Sequence, residues 1–480
     1  MAGRFLSMFQ PLSRFIPEVS PPQRKVGFNE KLFWTAMALA LYLVMSEVPL
    51  YLPLGAEGGD PLLYLRVIFA SNRGSLMELG IGPIVTAGII LQLLVGSNMI
   101  QCDMSNPDDR GLFTTATKVF SIIMIGVQAS AYLLGGMYGS LPPVRSVVVF
   151  IQLMSAGISL MLLDELLQKG WGIGSGISLF IMAGVAQTIA WSCLSPLPAF
   201  EEAGKSSGAL IAFFQTILGG QSLNSVFFRP GNNPSMLGFI TTIVVFFIVI
   251  YAEGVRVELP ISYARYRGFR GRYPIKLLYV SNLPVIFASA LFANVYFVSQ
   301  LLWNYSGQPS PGSNFWLDLV GQYARITQGE QSQVVPVGGL VYYVISPQNL
   351  SDVVGDPMRA LGFVTIMIAF CVVFSLTWLE VGGLGPKVVA KQLIDSGMQI
   401  PGFRRSSKPI ESLLNRYIPT VAVLGGVLVG LIASVANFFG VFGTGMGILL
   451  AVGILYQYYQ LLMQERVAEM HPALSRFLGG

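Results

Sequence analysis

Long apolar segments separated by short polar ones dominate the pattern of this chain. Between Tyr417 and Gln464 there is no Asp, Glu, Lys, Arg or His. A membrane-spanning helix needs about 20 residues, so this stretch accommodates two helices joined by a turn. The turn is predicted within 437–447, where Gly440, Gly443 and Gly445 can break helical geometry.

The same pattern recurs along the whole chain. It predicts helices at 32–52, 80–99, 115–138, 146–166, 174–194, 236–254, 278–302, 359–380, 417–436 and 445–464. A composition of 53% hydrophobic and 11% charged residues lies outside the balance of a soluble globular protein. The sequence therefore predicts an all-α polytopic membrane protein with ten transmembrane helices.

Basic residues are concentrated in two of the connections between these helices. The connections carry Arg256, Arg265, Arg267, Arg270, Arg272 and Lys276, and then Lys387, Lys391, Arg404, Arg405, Lys408 and Arg416. Such a bias sets orientation in the membrane, and it predicts that both connections and both termini are cytoplasmic. A polyanionic partner is the alternative explanation of the same charges.

An even division gives five helices in each half, and an odd number per half allows an inverted repeat. The expected organisation is a cytoplasmic segment at 1–31, a first half at 32–195, an external loop at 196–235, a second half at 236–464 and a cytoplasmic tail at 465–480. The apolar segment 61–70 is too short to span. It is either a helix that re-enters the protein or an amphipathic helix on the outer membrane surface.

Ionisable residues are predicted at helix ends rather than at mid-membrane. Asp164, Glu165, Glu253 and Glu380 are expected at the cytoplasmic interface, facing water or headgroups. An ion-coupled transporter usually needs buried ionisable groups at mid-membrane. The three cysteines and the single histidine have no metal-site spacing, and no phosphate-binding loop occurs. We therefore expect no metal, no cofactor and no enzymatic activity.

The chain contains several long motifs: ASNRGSLMELGIGPIVTAGIILQLLVGS at 70–97, LLDELLQKGWGIGSGISLFI at 162–181, RGRYPIKLLYVSNLPVIFASALFANVY at 270–296, PVGGLVYY at 336–343 and GTGMGILLAVGILYQYYQ at 443–460. These motifs resemble the SecY family, the alpha subunit of the Sec protein-conducting channel, in its archaeal and eukaryotic branch. The resemblance implies two inverted halves of five helices, hinged on one side, with a pore between them and a lateral gate opposite the hinge.

The resemblance also assigns residues to these parts. The plug that closes the pore from outside would be the re-entrant segment Pro61, Leu62, Leu63, Tyr64, Leu65, Arg66, Val67, Ile68, Phe69 and Ala70. The aliphatic pore ring would be Ile81, Val85, Ile177, Ile181, Ile286 and Leu450. Thr86, Gln128 and Asn294 would be polar groups at the lateral gate, where each could hydrogen-bond across the closed gate. Arg265, Arg267, Arg404 and Arg405 would dock the ribosome through ribosomal RNA.

The function that the resemblance implies is a gated conduit. It passes unfolded secretory polypeptides across the membrane and releases transmembrane segments laterally into lipid. The expected partners are two single-span subunits, gamma (SecE) and beta, together with the ribosome, signal sequences, nascent polypeptides and membrane lipids. The motifs favour an archaeal cell membrane, with the endoplasmic reticulum as the alternative. A secondary transporter for a small solute, or a membrane protein without a pore, are the competing functions.

Overall fold

The fold follows from a computed structural model. It describes residues 8, 11, 16–52, 66, 70–96, 99–100, 102, 107–134, 138, 141–199, 205–220, 222, 224–229, 233–263, 270–278, 283–306, 314–328, 331–347, 349–382, 384–395, 398–399 and 407–470.

Ten long helices form the body of the protein, and each coincides with a predicted span. The first five are α1 (Phe28–Glu47), α2 (Gly82–Gly96), α3 (Pro107–Leu134), α4 (Pro143–Leu166) and α5 (Gly176–Leu194). The second five are α8 (Met236–Gly254), α9 (Leu283–Tyr305), α13 (Pro357–Val381), α15 (Ser407–Phe438) and α16 (Gly445–Met470). Within the described residues, eight of them are long and apolar enough to cross a membrane, and α1 and α2 are not among these eight. The all-α membrane architecture is thereby confirmed.

The shorter elements lie in the connections. They are the helices α6 (Ala209–Leu218), α7 (Asn224–Phe227), α10 (Phe315–Val320), α11 (Leu340–Val344), α12 (Leu350–Gly355) and α14 (Pro386–Asp395). The strands are β1 (Arg256–Tyr263), β2 (Arg270–Lys276), β3 (Gln322–Gln328), β4 (Gln331–Gly338) and β5 (Met398–Gln399). We call the end of the bundle that carries β1 and β2 the basic side, and the opposite end the far side.

Glycines with left-handed backbone conformation mark two helix boundaries. A wide π-helical turn, Leu167–Trp171, follows α4, and Gly170 within it has a φ of 97°. The turn between α15 and α16 contains Gly440 at φ 64° and Gly443 at φ 74°, a conformation that glycine adopts without the steric cost of a Cβ atom. This turn lies inside the predicted range 437–447.

The halves meet along two seams. On one side α2 packs against α9 and α13, and on the other side α5 packs against α16. A single large cluster of buried apolar side chains runs between the halves, with members such as Phe180, Ile181, Phe363 and Leu449. The core of the molecule is therefore the interface between its halves.

The second half has its own close helix pair, α13 and α15. A Cβ atom added to Gly430 would lie 3.1 Å from the Cα of Ile368, and one added to Gly426 would lie 3.1 Å from the carbonyl oxygen of Cys371. Small residues let membrane helices approach closely and gain packing energy along their backbones. These two glycines hold α15 directly against α13.

The basic side contains a small sheet where sequence reasoning expected only loops. Strands β1 and β2 form an antiparallel hairpin in which Arg256 pairs with Lys276, and β5 pairs with β1 through Ser262 and Gln399. The strand order is β2-β1-β5. The two basic connections are thus joined in one three-stranded sheet. On the far side, β3 and β4 form a second hairpin.

The prediction that the acidic residues face water or headgroups is wrong for Asp164, Glu165 and Glu253, which are all less than a tenth exposed. Burial of a carboxylate requires compensating partners. Asp164 accepts hydrogen bonds from the Ile177 backbone N–H at 3.0 Å and the Gln168 side chain at 2.7 Å. The side chain of Glu380 lies outside the described residues.

Glu165 has its compensation in two ion pairs. The carboxylate lies 2.6 Å from Lys118 Nζ of α3 and 2.7 Å from Lys169 Nζ of the π-helical turn. Both lysines also contact Glu18, at 3.5 and 2.6 Å. Donation from Lys169 lowers the pKa of the Glu18 carboxyl. These contacts hold the N-terminal segment against the basic-side ends of α3 and α4.

Candidate functional site

The six predicted ring residues converge from four helices. Ile81 immediately precedes α2, Val85 lies on α2, Ile177 and Ile181 lie on α5, Ile286 on α9 and Leu450 on α16. All six belong to the central cluster or pack against it. Ile81, Ile181 and Leu450 are at most 1% exposed. The cluster is therefore packed shut at these positions, and its closing side chains come from both halves.

An open recess borders this cluster on the far side. It is a cavity of about 1080 Å³, lined by Tyr42 near the end of α1, Gln187 on α5, Asn349 before α12 and Phe439 after α15. Arg66 and Ala70 also line it. Tyr42 and Ala70 belong to the central cluster, so the cavity, which we call the funnel, meets the cluster at its far-side edge.

The predicted plug reaches this funnel, but only two of its residues are described. Residues 61–65 and 67–69 lie outside the described residues. Arg66 Nη2 lies 2.7 Å from Glu78 Oε1, and these side chains are 9% and 2% exposed. The Gly74 backbone N–H also donates to the Glu78 carboxylate. A buried ion pair therefore holds the plug to the turn that precedes α2.

Ala70 ends the predicted plug in an unusual backbone conformation. Its φ is 50°, a left-handed value that costs an L-residue with a Cβ atom roughly 1–2 kcal/mol. The Tyr42 hydroxyl donates to the Ala70 carbonyl at 3.2 Å, and the Asn72 amide donates to the Ser46 carbonyl at 2.9 Å. The far-side end of α1 thus fixes the point at which the plug joins the bundle.

The three predicted gate residues line one small cavity. Thr86 of α2, Gln128 of α3 and Asn294 of α9 surround a space of about 40 Å³, which Arg66 and Glu78 also border. No direct hydrogen bond joins the three side chains to one another in the part of the chain that the structure describes. Their predicted direct bonding is therefore not seen here. A space of this size admits a water molecule, which can bridge such polar groups.

The predicted docking arginines give a different outcome. Arg265, Arg267, Arg404 and Arg405 lie outside the described residues. The neighbouring hairpin is described, and in it Arg272 Nη1 lies 2.5 Å from Glu258 Oε2. This contact lowers the pKa of the Glu258 carboxyl. Arg256 also contacts Glu258, at 3.8 Å, so part of the charge of this hairpin is already compensated.

Two features of the site were missed by sequence reasoning. The alternation of Val257, Leu259 and Ile261 in β1 is a strand signal that could have been found. The pairing of Arg66 with Glu78 had no such signal, because it depends on how the plug folds back. No group of His, Cys, Asp and Glu able to hold a metal ion is present among the described residues.

The comparisons with known proteins agree with this geometry. Residues 75–459 match the SecY family, and residues 41–74 match the plug domain of Sec61p. The protein transport protein Sec61 subunit alpha of Dictyostelium discoideum is 44% identical over 475 residues, which cover 97% of this chain and 98% of that protein.

Solved structures extend the agreement to the fold. One described as the structure of a protein conducting channel is 40% identical, covers 97% of this chain and 98% of its own, and superposes with a TM-score of 0.80. The Sec61 of the canine ribosome-channel complex from the endoplasmic reticulum is 39% identical over the same shares, with a TM-score of 0.78. With its motifs, its helix order and its central apolar seal, this chain belongs to the SecY family.

Proposed function

We propose that this protein is the pore-forming subunit of a protein translocation channel. It passes unfolded polypeptides across the membrane and releases transmembrane segments sideways into the bilayer. The observation that carries this function is the packing of six aliphatic side chains from both halves in or against one central cluster, which the funnel meets on the far side. We expect no catalysis from such a subunit.

The ring works by excluding water rather than by recognising sequence. A narrow apolar constriction disfavours a continuous water column, so it blocks ions. Aliphatic side chains from separate helices can part around an extended polypeptide and close again behind it. Ile81, Val85, Ile177, Ile181, Ile286 and Leu450 are the proposed ring, and Pro61 to Ala70 are the proposed plug beneath it.

The seam between α2 and the pair α9 and α13 is the proposed lateral gate. Thr86, Gln128 and Asn294, which line one small cavity, are the proposed polar residues of this gate. Polar contacts between membrane helices average only about 0.6 kcal/mol. A hydrophobic segment entering the seam can therefore replace them without a large barrier. The opposite seam, where α16 packs against α5, is the proposed hinge.

A solute transporter receives no support from the comparisons. The buried pair Arg66 and Glu78 is the kind of group that a coupled transporter could use. Glu78 accepts a hydrogen bond from the Gly74 backbone N–H in the turn that precedes α2, and Arg66 lines the far-side funnel. The pair therefore belongs to the plug anchor near the far side rather than to a site at mid-membrane.

The basic sheet is the proposed platform for the ribosome. Arginine guanidinium groups bind RNA phosphates with two parallel hydrogen bonds, and such binding is salt-sensitive. Arg265, Arg267, Arg404 and Arg405 are the proposed contacts. Charge reversal at these four positions should weaken ribosome binding and flatten its salt dependence. Arg272→Gln is the matched control, because Arg272 is already paired with Glu258; equal losses in both variants would refute the assignment.

The proposed partners are the gamma (SecE) and beta single-span subunits, signal sequences and nascent chains, which follow from the family resemblance, and the ribosome, which the canine ribosome-channel complex also supports. That complex comes from the endoplasmic reticulum, and it favours the endoplasmic reticulum membrane over the archaeal membrane that the motifs favoured. Both termini are proposed to be cytoplasmic, and the domain boundaries to be those predicted above, with halves at 32–195 and 236–464.

The proposed function is tested by photocrosslinking to a stalled secretory nascent chain. The crosslinker replaces Ile177 or Ile286 in membranes that contain the small subunits, and Phe247 serves as the control because its side chain faces outward from α8, 63% exposed. We expect crosslinks from the two ring positions, lost when the signal sequence is deleted, and none from position 247. The absence of crosslinks from 177 and 286, with ribosomes docked, would refute a pore at this place.

A further inference from the structure

The connection between the two halves contains an apolar helix that the translocation function does not use. Helix α6, with the sequence ALIAFFQTIL, lies on the far side between α5 and α8 and has no charged residue. With ten residues it is too short to span a bilayer. An apolar helix outside the bundle needs a surface on which to bury its side chains.

One face of α6 satisfies this need within the protein. Ala209, Ala212 and Thr216 are buried, and the helix packs against both α5 and α8. The side chain of Gln215 is exposed but has hydrogen-bond partners in the same connection. Gln215 donates to the Ser206 hydroxyl at 2.8 Å and accepts from the Ser206 backbone N–H at 2.8 Å. The polar groups of the helix are thus engaged by its own connection.

The opposite face is apolar and open. Phe214, Ile217 and Leu218 are 60%, 50% and 88% exposed. Their spacing of three and four residues places them on one face of the helix. Exposed apolar surface of this kind marks a site of interaction.

Hydrogen bonds within the connection restrain the orientation of α6. The buried guanidinium of Arg229 donates to the carbonyl oxygens of Ser206 at 2.9 Å, Ser207 at 3.0 Å and Pro234 at 2.9 Å. The Gly208 backbone N–H, at the start of α6, donates to the Ser195 carbonyl at 3.0 Å. These bonds fix α6 to the far-side ends of α5 and α8.

Exposed apolar surface continues on both sides of α6. At the far-side end of α5, Leu194 is 59% exposed, and in the far-side half of α8, Ile240 and Ile243 are each 43% exposed. We propose that α6 lies in the far-side leaflet of the membrane, with Phe214, Ile217 and Leu218 among the lipid acyl chains. Lipid is the occupant because the open face of α6 extends the surface by which α5 and α8 already meet the bilayer. This inference does not rest on the proposed translocation function.

The consequence is an anchor at the hinge. Because α6 contacts both α5 and α8 and is fixed to each, its insertion holds the far-side ends of these two helices at one depth in the membrane. The two halves can then separate along the seam of α2 and α9 while the connection stays in place.

Fluorescence quenching tests the position of α6 directly. Single cysteines replace Phe214 or Leu218 in a Cys102→Ser background, in which Cys193 and Cys371 are buried, and they are labelled with bimane. The complex with its single-span subunits is reconstituted in phosphatidylcholine vesicles that contain doxyl-labelled phosphatidylcholine. Iodide is the water-soluble quencher. The matched control is Asn224→Cys, on an exposed position of α7 in the same connection.

We expect the labels at 214 and 218 to be quenched by doxyl lipid and to resist iodide, and the label at 224 to show the reverse. Quenching of 214 and 218 by iodide to the same extent as 224 would overturn the proposal, because the face would be in water. Protection of both labels from both quenchers would also overturn it, because a partner chain rather than lipid would cover the face. A single gel-filtration peak for each labelled variant excludes misfolding as the cause.

Discussion

The pairing of Arg66 with Glu78 predicts how tightly the idle channel closes. Glu78→Gln removes the negative charge but keeps an amide oxygen that can accept from the Gly74 N–H. While the plug is seated, Arg66 then remains 8% exposed and has lost its ion pair with Glu78. When the plug moves into the funnel, the guanidinium regains water. The substitution therefore penalises only the seated state.

The magnitude follows from the burial of the pair. Breaking a buried ion pair by removing one partner costs about 3–5 kcal/mol. We take the lower value because Arg66 borders the funnel. A factor of ten in population corresponds to about 1.4 kcal/mol, so the population of channels with a displaced plug should rise about a hundredfold. Replacing both partners by apolar residues of similar size is often neutral. The double variant Arg66→Met, Glu78→Leu should therefore close again.

The assay is the ion conductance of idle channels in planar bilayers. The control is Glu47→Gln, which alters a carboxylate of the same funnel whose contact with Gln187, at 3.0 Å, is exposed to solvent. We expect frequent openings for Glu78→Gln, and wild-type closure for the control and for the double variant. If Glu78→Gln stayed as tight as wild type, or if the double variant leaked more than the single one, the reasoning would be refuted.

Three further outcomes follow from other parts of the structure. Ile81→Ser combined with Ile181→Ser should make the idle channel conduct ions, because both side chains close the seal at 1% exposure; conductance is again the measurement. Gly430→Leu should lower the free energy of unfolding by about 1–3 kcal/mol through overpacking, seen as a lower melting temperature in detergent, because even a Cβ atom lies 3.1 Å from Ile368. Hydrogen bonds from Tyr342 Oη at 2.7 Å and the Arg359 N–H at 3.1 Å lower the pKa of Asp356. The stabilisation by this contact is therefore fully present above the ordinary pKa of an aspartate, about 3.9, and is lost as the pH falls through the lowered pKa of Asp356. The difference in melting temperature between wild type and Tyr342→Phe should therefore shrink in acid.

Each of these outcomes has a matched control. Leu194→Ser alters an exposed side chain at the end of α5 and should leave the seal intact; equal leakage would remove Ile81 and Ile181 from the ring. Gly111→Ala lies where an added Cβ meets nothing within 4 Å, so an equal loss there would contradict the close-packing argument. Tyr343→Phe removes a neighbouring hydroxyl, and its difference in melting temperature from wild type should not depend on pH.

The sequence predicts the helices better than their ends. Apolar length alone located all ten long helices, because a bilayer demands such length. It placed the start of α9 at 278, whereas the helix begins at Leu283, because Leu278, Tyr279 and Val280 extend the apolar pattern up to the polar pair Ser281 and Asn282. It also treated 387–416 as a loop, although α14 occupies Pro386–Asp395.

The site depended on the family resemblance. Ile81, Ile181 and Leu450 lie far apart in sequence, and nothing in their local pattern separates them from lipid-facing isoleucine and leucine. Asp164 was expected at the interface because it ends a helix. Its burial arises from the turn after α4, which brings the start of α5 back to Asp164. The Ile177 backbone N–H then donates to the Asp164 carboxylate, which caps the start of α5. Such return contacts are properties of the tertiary fold and leave no periodic signal.

The three-stranded sheet on the basic side gives the bundle a mechanical connection. Strand β5 is hydrogen-bonded to β1, and β1 to β2. The fully buried side chain of Ile275, on β2, packs in one cluster with Val389 of α14 and Leu414 of α15. Strand β2 ends at Lys276, shortly before α9 begins at Leu283. A displacement of either basic connection should therefore move the start of α9, the helix that packs against α2 at the seam.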